Sequence, residues 1–222
     1  MAIQTASIQA ILFDIDGTLS DSDNRLVQKV SHYLSPFITN KDHRTAFARW
    51  IVMGVESPGN FLYNLADRFS IDSYLLQMLN WISKRKKHPV KDHWLIPGIA
   101  DMLEELMGYR LAVVSARDAH STMSFLAQFS LDPFFDVVVT SQTCHYTKPF
   151  PDPMLYAAEK MGVPAASCLM VGDTTVDMKA AKLAGMQAVG VLCGFGREKE
   201  LLRAGADLIL PITTDLSALF QG

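Results

Sequence analysis

Short apolar segments alternate along most of the chain with stretches in which apolar residues recur every three or four positions. The first short segment, residues 8–13, is followed at once by a turn signal and is too short for a typical helix, which favours a buried strand. Five later segments have the same character: 111–114, 135–139, 168–171, 188–192 and 208–210. Because nearly wholly apolar strands that alternate with amphipathic helices are typical of a sheet covered on both faces, the pattern predicts an α/β fold with a doubly wound parallel sheet.

Residues 21–94 interrupt this alternation. Proline, asparagine and glycine separate four helical patterns there, at 23–34, 41–53, 60–69 and 73–86. No strand-like segment of comparable quality lies between them. The sequence therefore predicts an all-helical insert at 21–94 within an α/β core made of 1–20 and 95–222.

Composition narrows the class of protein. The 222 residues include 20 lysines and arginines against 23 aspartates and glutamates, a net charge of −3, which argues against nucleic-acid binding through bulk basic charge. No apolar run approaches the roughly 18 residues needed to cross a bilayer, and the N-terminal residues do not resemble a secretion signal. The three cysteines are far apart, which fits neither a disulfide framework nor a zinc site. We therefore expect a soluble cytoplasmic protein with no nucleic-acid or membrane partner, while monomer and oligomer stay equally open.

The charge is unevenly distributed between the two predicted parts. Residues 21–94 carry a net charge of +4 and the remaining residues a net charge of −7. An acidic core and a basic insert suit a metal ion in the core and an anionic ligand beside it. The basic run 84–87 alone supplies the excess of the insert, however, and a solvated helix end is the commoner explanation of such a run.

Two pairs of aspartates follow predicted strands. Asp14 and Asp16 end the first strand, where residues two apart lie on one side of the backbone, so both carboxylates can serve one site. A polar strand end before a turn at Gly17 explains this pair as well. Asp173 and Asp177 follow the segment 168–171, and four-residue spacing on a helix would stack them on one side. Such hard oxygen ligands suit Mg²⁺, whereas a helix N-cap explains one of these aspartates better than two.

Ser115 and Lys148 are weaker signals taken one at a time. Ser115 follows the segment 111–114, where its hydroxyl and nearby amides could hold a phosphoryl oxygen, although an N-cap is the commoner explanation. Lys148 precedes Pro149, which favours an extended conformation, and a lysine there could neutralise a carboxylate and a dianionic substrate. Because parallel strands bring their carboxyl ends to one sheet edge, these residues and the aspartates are expected to meet there.

Together these motifs resemble the haloacid dehalogenase (HAD) superfamily, in its phosphoglycolate phosphatase-like branch with a helical cap. The resemblance spans nearly the whole chain and rests on four motifs: Asp14-Ile15-Asp16-Gly17-Thr18, Ser115, Lys148-Pro149, and Gly172-Asp173 through Asp177. It implies a Rossmann-like core, a Mg²⁺ cofactor and a small phosphorylated metabolite as substrate.

The resemblance also implies a role for each motif residue. Asp14 would attack phosphorus to form an aspartyl-phosphate, and Asp16 would protonate the leaving oxygen and then activate water. The implied metal ligands are the Asp14 carboxylate, the Asp16 backbone carbonyl and Asp173. The remaining roles are phosphate binding by Ser115, Ala116 and Lys148, and support of the site by Thr18 and Asp177.

The acid at position 16 favours phosphoryl transfer over dehalogenation, because a departing halide needs no proton. The expected function is a Mg²⁺-dependent phosphatase. The alternatives are a phosphomutase similar to β-phosphoglucomutase and a phosphate-binding member without turnover. Ala116 and Arg117 depart from the pattern, since many relatives carry an amide side chain beside the serine. Arg117 either compensates for that amide or points to solvent. The sequence does not identify the substrate or the residues of the insert that recognise it.

Overall fold

A computed structural model describes residues 3–21, 30–35, 38–40, 44, 47–48 and 94–221. The chain divides into two compact units, one made of Met1–Ser22 with Asp92–Gly222 and the other of Asp23–Lys91. The assignment of these units as catalytic core and lid stays a prediction. Of the four helices expected between residues 21 and 94, most positions lie outside the described residues, whereas residues 30–33, 44 and 47–48 are helical.

The first unit contains a six-stranded parallel sheet, as the apolar segments predict. The strands are β1 (Ala10–Phe13), β2 (Arg110–Val114), β3 (Val137–Val139), β4 (Cys168–Gly172), β5 (Gln187–Val191) and β6 (Leu208–Leu210). The helices described in this unit are α1 (Ile99–Glu105), α2 (Ala119–Gln128), α3 (Asp152–Met161), α4 (Thr175–Leu183) and α5 (Glu198–Ala204). Short 3₁₀ turns lie at Thr5–Ser7, Asp132–Phe134, Ala165–Ser167 and Thr213–Phe220.

The strand order places β1 inside the sheet, between β2 and β4. The order is β3-β2-β1-β4-β5-β6, and every neighbouring pair is parallel. Connections run outward from β1 in both directions, so the order of the strands reverses there. In open α/β sheets a crevice forms at such a reversal, at the carboxyl ends of the strands.

Alternating residues of β1 enter two separate cores. Ile11 and Phe13 pack with residues of α1 and α2 on one face, while Ala10 and Leu12 pack with residues of α3, α4 and α5 on the other. All four side chains are fully buried. Burial of an aromatic or aliphatic side chain stabilises the fold by about 1.5–3 kcal/mol, so both faces hold β1 rigidly. The doubly wound fold predicted from the sequence is confirmed.

The helices α2 and α4, which border the site, each begin with a capping side chain. The side chain of Asp118 caps α2 by accepting a hydrogen bond of 2.9 Å from the Ser121 amide. Thr174 caps α4 in a capping box, in which Asp177 at the third helical position accepts from the Thr174 amide at 3.1 Å. Asp118 lies four residues after β2 and Thr174 two residues after β4, so these caps help to fix the direction in which the chain leaves the sheet.

Candidate active site

Three adjacent strands carry the motif residues to one edge of the sheet. Asp14 and Ser115 each continue the strand pairing for one more residue, with the Asp14 amide donating to Val171 (3.0 Å) and the Ser115 amide donating to Val139 (2.9 Å). Asp173 follows β4 directly. Because β1 lies between β2 and β4, the three residues stand side by side, as their positions after strands predict.

Lys148 joins this group from the loop between β3 and α3. Its Nζ lies 2.8 Å from Asp14 Oδ1 and 2.7 Å from Asp177 Oδ1, and it donates to the Val114 carbonyl at 2.8 Å. The lysine side chain is only 3% exposed, so its charge is neutralised by these carboxylates rather than by water. A buried lysine held this way is part of the site and not a solvated surface residue.

A cluster of three buried carboxylates forms the floor of the site. Asp14, Asp173 and Asp177 each offer an oxygen within 4.8 Å of the others. The Oδ1 atom of Asp173 is buried and has no hydrogen-bond partner among the described residues. An orphaned buried oxygen is costly unless a cation or water meets it. Lys148 contacts two of the three carboxylates, and Oδ1 of the third, Asp173, is unsatisfied. This donor set fits Mg²⁺, which prefers hard oxygen ligands.

Glycines allow the chain to approach Asp173 closely. The second oxygen of Asp173, Oδ2, accepts a 2.7 Å hydrogen bond from the Phe195 amide, in the loop after β5. A Cβ built at Gly194 would lie 2.0 Å from that oxygen, and one built at Gly17 would lie 2.4 Å from it. Gly17 also has a φ of +72°, which disfavours any side chain there. The two glycines and the Phe195 amide therefore fix which oxygen of Asp173 is left for a ligand.

Asp177 serves the helix and the site at once. One oxygen closes the capping box at the start of α4, and the other faces Lys148 at 2.7 Å. Helix capping and site chemistry were alternative explanations for Asp177 in the sequence. The structure shows Asp177 in the capping box and in contact with Lys148, and its role in the chemistry stays a prediction.

Burial and mutual repulsion shift the protonation of the cluster. Burial is the main cause that raises the pKa of Asp14 to about 7; Lys148 opposes the shift, and the charges of Asp177 and Asp16 add to it. Burial, with Asp177 and Asp14, also raises the pKa of Asp173 well above its ordinary value. Burial lowers the pKa of Lys148, but Asp14 and Asp177 outweigh it, so the net shift is upward. The three carboxylates carry more negative charge than Lys148 can neutralise, which favours binding of a cation.

Asp16 lies at the rim of the site and is held by Arg117. The guanidinium grips both carboxylate oxygens, with Nε donating to Oδ2 at 2.9 Å and Nη2 pairing with Oδ1. The Arg117 side chain is 12% exposed, so the alternative that it points to solvent is wrong. The carboxylate of Asp16 faces Arg117, and coordination through its backbone carbonyl stays a prediction.

The remaining motif residues occupy turns around this group. Ser115 is buried and its hydroxyl oxygen accepts from the Arg117 amide at 3.2 Å, whereas Ala116 is exposed. Thr18 is buried in the turn after Asp16, where its carbonyl accepts a 2.6 Å hydrogen bond from the Thr213 hydroxyl. Phosphate binding by Ser115, Ala116 and Lys148 and support of the site by Thr18 stay predictions.

Sequence reasoning missed two contacts of the site. It did not find the partnership of Asp16 with Arg117, residues 101 positions apart. It also missed the loop 193–196, whose Phe195 amide holds Asp173. The glycines at 194 and 196 directly after a strand were the available signal, because glycine there often marks a close approach of the backbone.

Comparison with known proteins places these observations in a family. A family model described as "Haloacid dehalogenase-like hydrolase" matches residues 11–191. The chain is 26% identical to a phosphoglycolate phosphatase of Nitrosococcus oceani, covering 96% of each chain. It is 24% identical to the pyrophosphatase PpaX of Bacillus pumilus, covering 96% of this chain and 97% of that protein.

Solved structures share the fold. A putative β-phosphoglucomutase from Thermotoga maritima aligns with a TM-score of 0.64 and 23% identity, over 96% of this chain and 99% of that one. Among the described residues, no helix combines the length and apolarity that a membrane span requires.

Proposed function

This chain belongs to the haloacid dehalogenase-like hydrolases, and we propose that it is a phosphatase that hydrolyses a small phosphate monoester with Mg²⁺ through an aspartyl-phosphate at Asp14. The observation that carries the proposal is the buried cluster in which Lys148 lies between Asp14 and Asp177, beside the unsatisfied oxygen of Asp173. The relatives named phosphoglycolate phosphatase and pyrophosphatase support hydrolysis of a phosphate ester or anhydride.

Asp14 is the nucleophile in this proposal. One of its carboxylate oxygens forms a bond to phosphorus while the ester bond breaks, and the electron pair of that bond goes to the leaving oxygen. The ion pair with Lys148 at 2.8 Å favours the ionised form that attack requires. The fully buried β1 behind Asp14 keeps the attacking oxygen in one place.

Asp16 handles the protons of both steps. Its carboxyl proton passes to the leaving oxygen in the first step. Its carboxylate then takes a proton from water as the water oxygen attacks phosphorus, and the acyl-phosphate bond breaks with its electron pair returning to Asp14. The Asp16 side chain is 34% exposed, so it has access to a leaving group and to water.

Mg²⁺ would be held by the Asp14 carboxylate, the Asp16 carbonyl and Asp173, with Asp177 and Thr18 in support. When bound, it supplies positive charge beside the transferring phosphoryl group and allows Asp14 and Asp173 to ionise. Ser115, Ala116 and Lys148 would bind phosphoryl oxygens through the hydroxyl, the backbone amide and the ammonium group.

Residues 21–94 would act as a lid that recognises the substrate and excludes water. The substrate is proposed to be a small phosphorylated metabolite, and the location cytoplasmic. A phosphomutase would use the same core residues. A phosphate-binding member without turnover would share the fold but catalyse no reaction. Product analysis with β-glucose 1-phosphate distinguishes the first alternative, and absence of turnover across phosphate esters with bound Mg²⁺ would indicate the second.

Phosphate release from a panel of phosphoglycolate, pyrophosphate, sugar phosphates and nucleotides tests the proposal, with Mg²⁺ and with a chelator. We expect release that requires Mg²⁺ and that falls by about 10³-fold or more in Asp14→Asn, because the nucleophile is lost. Asp101→Asn, an exposed aspartate in the first turn of α1, is the matched control and should retain full activity. Mg²⁺-dependent release that persists in Asp14→Asn would refute the proposal.

A further inference from the structure

We propose that Arg117 is a positioning residue that holds the Asp16 carboxylate in the orientation in which it exchanges protons with the leaving group and water. This inference rests on the proposed function, since it concerns the acid and base of that reaction. It extends the proposal to a residue that the four family motifs do not include.

The first observation is the geometry of the pair. Arg117 contacts both oxygens of Asp16, through Nε at 2.9 Å and through Nη2. Two parallel contacts from a planar guanidinium fix the rotation of a carboxylate as well as its position. A carboxylate has about four lone-pair sites, so a grip on one site of each oxygen leaves the others for a proton.

The second observation is that Arg117 is itself immobilised. Its amide donates to the Ser115 hydroxyl oxygen at 3.2 Å, and its carbonyl accepts from the Ser141 amide at 2.9 Å. Its guanidinium lies 5.2 Å from the ring centre of Phe125, a fully buried residue of α2. Stacking on an aromatic face favours one orientation of the guanidinium. The backbone after β2 and the buried Phe125 therefore hold Arg117 in place, and Arg117 in turn holds the Asp16 carboxylate.

Comparison with an arginine of β2 separates this arrangement from an ordinary surface ion pair. Arg110 at the start of β2 pairs with Asp136 through Nε at 2.9 Å, and Asp136 is 34% exposed, as Asp16 is. The arginines differ, because Arg110 is 52% exposed and Arg117 only 12%. Ion pairs between exposed side chains contribute little to stability, so a gain in stability does not explain why Arg117 is held in place. The need to orient Asp16 explains it better.

Leaving-group dependence reports on this role directly. A carboxyl that protonates the leaving oxygen makes the rate insensitive to how basic that oxygen is, whereas unassisted departure becomes slower as its basicity rises. The measurement is kcat/KM with Mg²⁺ for a series of substituted phenyl phosphates of similar size, plotted against the pKa of the phenol. The variants are Arg117→Gln, Arg117→Lys and Asp16→Asn, with Arg110→Gln as the matched control.

We expect a shallow slope for the unmodified protein and for Arg110→Gln, and a steep slope for Asp16→Asn. Arg117→Gln should lie near Asp16→Asn, losing about tenfold or more on phenyl phosphate relative to 4-nitrophenyl phosphate. Arg117→Lys should recover part of the difference, because lysine supplies the charge without the two-point contact.

An equal loss of kcat/KM across the series in Arg117→Gln, with the slope of the unmodified protein, would overturn the inference, because Arg117 would then stabilise the fold or bind the phosphoryl group. Failure of the unmodified protein to release phosphate both from this series and from the panel of phosphorylated metabolites would instead refute the proposed function, and the role of Arg117 with it.

Discussion

Replacing Gly194 by alanine tests how the loop after β5 prepares Asp173 for a metal ion. The added Cβ would lie 2.0 Å from Asp173 Oδ2 and 2.5 Å from its Cγ, far inside any normal contact distance. The clash falls on the Cβ, Cγ and Oδ2 atoms of a buried aspartate rather than on the end of a flexible side chain. Either the loop moves away or the carboxylate turns, and both break the 2.7 Å hydrogen bond from the Phe195 amide.

The expected magnitude follows from that hydrogen bond. A hydrogen bond to a buried charged acceptor contributes about 1.5–3 kcal/mol. Loss of a partner that orients a metal ligand typically lowers metal affinity about 10–100-fold. We therefore expect Gly194→Ala to raise the dissociation constant for Mg²⁺ by roughly tenfold or more, with a parallel rise in the Mg²⁺ concentration needed for half-maximal activity.

Isothermal titration with Mg²⁺ measures the first quantity, and thermal unfolding without metal shows whether the variant is folded. Gly108→Ala is the matched control, because a Cβ there would meet nothing within 4 Å. Unchanged Mg²⁺ affinity in a folded Gly194→Ala protein would refute the idea that the glycine loop fixes Asp173 for metal binding.

Two further predictions concern the charge of the cluster. Burial raises the pKa of Asp14 to about 7, so Mg²⁺ must displace a proton from Asp14 below about pH 7. Burial also raises the pKa of Asp173, which adds to the proton competition. Titration between about pH 5.5 and 8 should show Mg²⁺ affinity rising with pH by about tenfold per pH unit for each proton displaced, whereas a flat profile would contradict these shifts. Lys148→Met removes the cation among three buried carboxylates and should lower the free energy of unfolding by about 3–5 kcal/mol in urea without metal. Because carboxyls with raised pKa values bind protons more tightly in the folded state, that loss should shrink as pH falls, and a loss that grows instead would contradict the assignment.

Strand positions were predictable from the sequence because the sheet is buried on both faces. Residues 208–210 form β6 as predicted, since Asp207 and Pro211 bound a short apolar segment. The segment 135–139 yields a shorter strand, Val137–Val139, because Pro133 takes part in a 3₁₀ turn at Asp132–Phe134 that ends only at Phe135. Propensity alone does not reveal such a turn, whose boundaries depend on how it packs.

The meeting of Asp14, Ser115 and Asp173 was predictable for a topological reason. Residues that end neighbouring parallel strands share a sheet edge whatever the loops do. The grip of Arg117 on Asp16 was not predictable, because it depends on the loop conformation after β2 and on stacking against Phe125. Most of residues 21–94, which we propose to recognise the substrate, lie outside the described residues.

The central claim is that Asp14 carries the phosphoryl group, and its most direct test is capture of the phosphorylated protein. In Asp16→Asn the base of the second step is missing, while a radiolabelled 4-nitrophenyl phosphate needs little protonation to depart, so the intermediate should accumulate. After rapid acid quenching with Mg²⁺ present, the account predicts protein-bound label on the peptide that contains Asp14, and none when Asp14→Asn is added. Nitrophenol release by Asp16→Asn without label on the protein, or label on a peptide lacking Asp14, would contradict it.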